Sequence, residues 1–158
     1  MSATIRAATP ADVGAIHALM YELAEFEKLT HLFTGTAEGL ADALFGTRPA
    51  AEALVAEDAG RIVGSALFFH NYSTFLSRRG LYLEDLYVQP SQRGTGLGTA
   101  MLRALAAIAI ERGCARFEWT VLDWNTGAQA FYRGLGARIL TEWHLCRVDG
   151  EALAALGG

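Results

Sequence analysis

Two carboxylates stand side by side, Glu84 and Asp85, inside a stretch that otherwise reads as a core strand, Leu81–Val88 (LYLEDLYV). A regular core strand would carry Ile or Val there, and a local rule broken in mid-element is what a functional site produces. Alternation along a strand predicts that the two side chains point to opposite faces. Just beyond, Gln89-Pro90-Ser91-Gln92 turns the chain into Arg93-Gly94-Thr95-Gly96-Leu97-Gly98, with three glycines at every second position and a cap-like Thr99 after them. Glycines let a backbone approach a phosphate with no Cβ in the way. The first N–H groups of a helix have no intrahelical acceptor, and its dipole favours negative charge. This strand–turn–helix start is therefore expected to hold a pyrophosphate. Farther on, Asn125 and Tyr132 are seven residues apart, which puts them on one helical face within about 20°. A tyrosine so placed either packs in the core with a wet hydroxyl or does chemistry, and its spacing leaves both open.

Strands and helices that would carry these residues are legible along the chain. A strand at Thr4–Ala7 is followed by Thr9-Pro10-Ala11-Asp12, a cap, a proline and an acid in the order that starts a helix. Val13, Ile16, Leu19, Met20, Leu23 and Phe26 carry that helix to about Lys28, and its other face bears Glu22, Glu25 and Glu27. For Glu22 and Glu25 a solvated acidic face is the preferred account. Thr36 caps a second, shorter helix. Strands are expected at Ala53–Glu57 and Ile62–Tyr72 with a hairpin turn at Asp58–Arg61, then at the central Leu81–Val88, at Arg116–Leu122 and at Ile139–Val148. Between them lie a helix from Thr99 through Met101, Leu102, Leu105, Ile108 and Ala109, and one that Asn125 caps and Gly134 and Gly136 end. The order β-α-α-β-β-β-α-β-α-β predicts a mixed α/β fold, antiparallel in its middle strands, with a right-handed parallel crossover around the glycine turn and helices on both faces.

At 158 residues, with no repeat, low-complexity linker or composition break, the chain is expected to form one domain, residues 1–158. A net charge of −4 argues against a nucleic-acid partner and suits a cationic one. Trp119, Trp124 and Trp143 are accordingly read as core or pocket wall. No leader opens the chain, and the apolar run Ala104–Ile110 is far short of a membrane span, so a soluble, cytoplasmic protein is expected. Cys114 and Cys146 read as two buried, reduced thiols, and His17, His31, His70 and His144 share no ligand spacing, so no metal is expected.

The glycine turn fits neither common nucleotide motif. A Walker loop needs a lysine after its last glycine, and Leu97-Gly98-Thr99 has none; a dinucleotide fingerprint needs different glycine spacing after a first strand, although Glu118 lies at a tempting distance. Arg93-x-x-Gly96-x-Gly98 instead resembles motif A of the GNAT acetyltransferases. The likeness extends to ELAEFEKL (Glu22–Leu29), YLEDLYV (Tyr82–Val88), VLDWN (Val121–Asn125) and YRGLGA (Tyr132–Ala137), and so to nearly the whole chain. It is nearest to the spermidine/spermine N-acetyltransferase group, on the side of its thialysine N-epsilon-acetyltransferases. A GNAT-type fold is implied: a mostly antiparallel twisted sheet, helices on both faces and a bulged central strand.

That resemblance implies acetyl transfer from acetyl-CoA to a primary amine of a small molecule, a thialysine or amino-acid-like amine or a di- or polyamine. It implies that the main chain of Arg93, Gly94, Gly96, Gly98 and Thr99 holds the pyrophosphate, that Leu86 and Val88 pair with the pantetheine amides, and that Asn125 contacts the pantetheine arm. An alkylammonium has a pKa near 10.4, so a carboxylate must attract it and accept its proton. Glu84 is expected to do this through water, with Glu27 and Asp85 beside the amine; a salt bridge from Asp85 to Arg78 or Arg79 is the competing account. Tyr132 matches the tyrosine that protonates the departing sulfur. Trp143 resembles a position on the C-terminal strand close to a neighbouring subunit, which implies substrate contact there and a homodimer. Two other readings stay open: a protein or peptide N-acetyltransferase, and a non-catalytic acyl-CoA sensor.

Overall fold

The computed structural model describes residues 2–158 and divides them into two compact units, one running to Thr120 and the other Val121–Gly158. In the first, five strands form one sheet in chain order: β1 (Thr4–Ala7), β2 (Glu52–Asp58), β3 (Arg61–Ser73), β4 (Arg78–Val88) and β5 (Arg116–Glu118). All pairs are antiparallel except β4 with β5, which is parallel. The helices are α1 (Val13–Phe26), α2 (Ala37–Phe45) and α3 (Leu97–Glu111). The mixed α/β architecture with a mostly antiparallel open sheet is thus as the order of elements predicts. The β2–β3 hairpin turns on Ala59 and Gly60, both with positive φ (50° and 78°), the twist that a two-residue hairpin requires.

Helices cover both faces. On one, Ile16, Leu19 and Met20 of α1 and Leu44 of α2 pack against Ala53, Val55 and Tyr87. On the other lies α3, whose Met101 Sδ would stand 3.2 Å from a Cβ added at Gly64, a contact tight enough to exclude a larger residue. Ile16, Val55, Met101 and Leu105 are fully buried. Before α1, Arg6 clamps the entry: its guanidinium donates to both carboxylate oxygens of Asp12 (2.8 and 3.0 Å), and the Thr9 amide donates to Asp12 Oδ2 (2.7 Å). Asp12 is thereby held at about 2, chiefly by Arg6. Helix α1 ends with Lys28 at φ 61° and the Leu29 amide bonded back to the Ala24 carbonyl (2.8 Å), a left-handed stop made without glycine.

The register of β3 against β4 contains one irregularity. Leu67 faces Asp85 and the next pair is Phe68 with Leu83, so Glu84 has no partner and is a β-bulge. The bulge shifts the alternation by one. Leu83 shares the α3 face with Phe68, whereas Asp85 and Tyr87 come to the α1 face. Strand β5 pairs with β4 only at Gly80, Leu81 and Tyr82, just short of the bulge. The strand expected over Arg116–Leu122 therefore stops at Glu118, because past the bulge β4 offers it no matching edge.

In the second unit, α4 (Thr126–Gly134) and α5 (Gly150–Gly157) are the regular elements. The strand expected over Ile139–Val148 is not formed. Its sequence has strand character, but a strand needs a partner, and this unit contains no other. Leu145 and Trp143 in this segment are 79% and 75% exposed, so Trp143 is not a core residue. Cys146 is exposed and Cys114 only half-buried, against the two buried thiols expected, because the irregular segment leaves Cys146 uncovered.

Candidate active site

Glu84 and Asp85 do not face opposite ways. The bulge brings both to one cavity of about 310 Å³ between α1 and β4, together with Glu27 and a wall that includes Met20, Leu23 and Phe33. Three carboxylates of one sign share an apolar-walled space. Burial, then the charges of Glu84 and Glu27, push the Asp85 carboxyl up to about 6. Burial also raises Glu27. Glu27 is the C-cap of α1, at the negative end of the helix, where a cation would be preferred. Among the described residues neither Glu84 nor Asp85 forms an ion pair, so the salt bridge to Arg78 or Arg79 is not made. A cavity of this kind stabilises a cation and offers it a base poised near neutral pH.

Next to the carboxylates, β4 has a bare edge. The Gln89 amide donates to the Val63 carbonyl (2.9 Å), which makes 63 and 89 a hydrogen-bonded pair. Such pairs alternate, so Tyr87–Ser65 and Asp85–Leu67 are bonded as well. Leu86 and Val88 therefore aim their main-chain N–H and C=O away from β3, toward the side that β5 has left. An extended ligand with amide groups can add there as a strand does.

The glycine turn follows. Gly94 and Gly96 have φ of 77° and 86°, a region in which other residues are strained, and Gly96 is the N-cap of α3. Leu97, Gly98 and Thr99 head the helix and present its first N–H groups, the first intrahelical bond being Ala100 to Gly96 (3.0 Å). Gly98 is different: its backbone is helical, and an added Cβ would meet nothing of the protein within 4 Å. Its lack of a side chain serves nothing in the fold and leaves a cradle over the helix start, which fits an approaching phosphate. Arg93 is turned elsewhere. Its amide donates to the Pro90 carbonyl (3.2 Å), and its guanidinium lies over the rings of Phe26 (5.4 Å) and Tyr87 (6.0 Å).

Those contacts belong to a second space on the same α1–β4 face, about 610 Å³, lined by Glu22, Glu25, Phe26, Tyr87, Gln89 and Arg93 among others. Sequence gave no warning of it, since Glu22 and Glu25 read as a solvated face. Gln89 donates to Glu22 (3.3 Å), and the Tyr87 hydroxyl is raised mainly by burial, with Glu22 raising it further and Arg93 lowering it. In the second unit, Asn125 Oδ1 accepts from the Ala128 amide (3.2 Å) and caps α4 as expected. Tyr132 lies two turns on, its ring 5.6 Å from that of Phe131, which is 43% exposed and so outside the core. Trp143 lies outside α4, in the irregular segment. Among the described residues no cluster of His, Cys, Asp or Glu has metal-binding geometry.

Known proteins bear on this arrangement. The profile of the acetyltransferase (GNAT) family matches residues 16–137, across both units. Thialysine N-epsilon-acetyltransferase of Mus musculus is 41% identical over 168 residues, covering 99% of this chain and 98% of its own. L-ornithine N5-acetyltransferase NATA1 of Arabidopsis thaliana is 36% identical over 201 residues, covering 99% and 88%. Among solved structures, an integron cassette protein from the mobile metagenome of V. cholerae superposes with a TM-score of 0.83 at 25% identity, over 99% of this chain and 98% of that one. With the family's pattern running through most of its length and relatives this similar from end to end, the chain belongs to the GNAT family of acetyltransferases and is an acyl-transferring enzyme.

Proposed function

We propose that this protein is a cytoplasmic N-acetyltransferase that moves an acetyl group from acetyl-CoA to a primary amine of a small molecule, an amino-acid-like amine or a diamine. The observation that carries this reading is the cavity in which Glu27, Glu84 and Asp85 converge beside the bare edge of β4. The activities for which the thialysine and ornithine enzymes are named support the acceptor class.

When bound, acetyl-CoA supplies the acetyl group as an activated thioester. The first helical N–H groups at Leu97, Gly98 and Thr99, with the turn at Gly94 and Gly96, hold its pyrophosphate. Leu86 and Val88 hold the pantetheine amides through main-chain hydrogen bonds, and Asn125 contributes its side-chain amide N–H groups, its oxygen being the helix cap. The three carboxylates attract the alkylammonium. Its proton passes to the Glu84–Asp85 pair, Asp85 being the carboxyl raised by burial to about 6 and exposed Glu84 the route for relaying water. The freed amine nitrogen attacks the carbonyl carbon, the carbon–sulfur bond breaks, Tyr132 gives its hydroxyl proton to the departing sulfur, and the proton that the nitrogen sheds as the amide forms restores the tyrosine. A homodimer is part of the proposal, supported by the exposed apolar residues Trp143 and Leu145.

The deciding experiment is thiol release from acetyl-CoA with thialysine, lysine, ornithine, putrescine, spermidine and a lysine peptide in turn. Turnover on the amino acids or diamines is the expected result. Turnover confined to the peptide, or acetyl-CoA binding with none on any acceptor, would overturn the reading in favour of a peptide acetyltransferase or a sensor.

A further inference from the structure

The space around Arg93 has a different chemistry from the carboxylate cavity. It pairs a guanidinium with two carboxylates, Glu22 and Glu25, over the rings of Phe26 and Tyr87. Among the described residues no carboxylate lies within ion-pair distance of Arg93, whose guanidinium lies over the two rings. A guanidinium has five donors in a planar fork matched to a carboxylate, and ring stacking fixes that plane without consuming the donors. Glu22 is itself held, by Gln89. One positive and two negative groups lining one space complement a zwitterion.

The two spaces lie side by side along the same elements. Asp85 and Tyr87 are on one face of β4, two residues apart, so about 6.6 Å separates them. In α1, Glu22, Glu25 and Phe26 line one space and Leu23, Ala24 and Glu27 the other. An ω-amine and an α-carboxylate joined by a three- or four-carbon side chain are roughly 6–8 Å apart when extended. With an amine among the three carboxylates, the far end of such a molecule reaches Arg93.

We propose that this second space is a specificity subsite for the head of an α-amino acid, Arg93 taking the α-carboxylate and Glu22 with Glu25 the α-ammonium. The inference rests on the amine acetyltransferase reading and narrows its acceptor to an ω-amino α-amino acid. A simple diamine can still place its second ammonium against Glu22 and Glu25 but leaves Arg93 without an anion, so it forgoes the carboxylate's share of the binding. Specificity arises from that missing attraction, as a difference of two affinities.

The test compares kcat/KM for ornithine and lysine with putrescine and cadaverine, their counterparts without the carboxylate, in wild type, Arg93→Gln and Arg93→Lys. Acetyl-CoA is common to every arm, so effects on its binding cancel in the amino-acid-to-diamine ratio. Wild type should favour the amino acids by about 10–100-fold, the range of a charge-assisted pair. The ratio should collapse toward one in Arg93→Gln and stay intermediate in Arg93→Lys, which keeps the charge and loses the fork. A wild-type ratio near one, or an unchanged ratio in Arg93→Gln, overturns the subsite. Ornithine methyl ester with wild type gives the same answer without a variant: it should behave like putrescine, and turnover equal to ornithine overturns the proposal. No turnover on either series instead overturns the acetyltransferase reading, and the subsite with it.

Discussion

Replacing Asp85 with Asn should abolish most activity and stabilise the fold, and the stabilisation should grow with pH. The carboxyl is held at about 6, against 3.8 for an ordinary aspartate, by burial and by its neighbours Glu84 and Glu27. A folded pKa above the unfolded one favours the native state while the group is protonated. That advantage is complete below the unfolded value and lost as pH rises through the folded one. A difference of about two units corresponds to about 3 kcal/mol, taken as an upper bound, which wild type has forfeited by pH 8 and only slightly at pH 4. Asn cannot ionise and forfeits nothing. The stability gap between Asp85→Asn and wild type should therefore widen by about 2–3 kcal/mol from pH 4 to pH 8. For a chain of this size that is roughly 5–10 °C in Tm. Thermal unfolding followed by circular dichroism at the two pH values measures it, and any constant effect of the substitution cancels. Activity should fall by about 10²–10⁴ in kcat/KM, the usual contribution of a positioned base. A gap that stays constant or narrows with pH would refute the account of Asp85 as a destabilised, functional carboxylate.

Four other substitutions separate the remaining roles. Glu84→Gln removes a charge that raises Asp85, so the acid limb of the kcat/KM profile should move to lower pH; an unmoved limb would detach the two carboxylates. Gly98→Ala should leave Tm unchanged or raise it, since Ala is the better helix former by up to about 1 kcal/mol, yet weaken acetyl-CoA binding at least tenfold by calorimetry. Gly96→Ala, forced to a φ of 86°, should weaken binding and also destabilise the fold by about 1 kcal/mol or more, seen as a lower Tm. Tyr132→Phe should reduce kcat by about 10²–10⁴ while the acetyl-CoA Kd is unchanged, and a parallel loss of both would make the tyrosine a binding residue.

What could be read from sequence is what depends on neighbours along the chain. The Thr9–Asp12 helix start, the Asn125 cap, the Ala59-Gly60 hairpin and the glycine turn are all local patterns, and each stands where expected. Adjacent carboxylates in a core strand also marked the site. Their common orientation could not be read, because a bulge depends on how two strands register and not on either sequence alone. The Arg93 side chain lies over Phe26 and Tyr87, rings that come from α1 and β4, a meeting of three elements that no pattern along the chain shows. The alternating pattern of Ile139–Val148 has strand character, but pairing is a property of a partner edge, and its own unit has none.

The site hangs on the single extra residue of β4. With regular alternation continued from Leu83, Asp85 and Tyr87 would turn to the α3 face, where Leu83 and Phe68 are packed. An ionised carboxylate buried there without a partner is prohibitively costly. Tyr87 would also be withdrawn from the α1 core. Inserting Glu84 reverses the alternation, as a one-residue slip must. The same insertion ends the pairing with β5 at Tyr82 and leaves Leu86 and Val88 facing an open edge. The proposed base, the carboxylate-lined cavity and the strand edge thus share one cause. Removing residue 84 should accordingly cost far more than Glu84→Gln: both acetyl-CoA affinity and stability should fall, with Tm lower at every pH. A deletion variant that kept acetyl-CoA affinity would show that the open edge does not depend on the bulge.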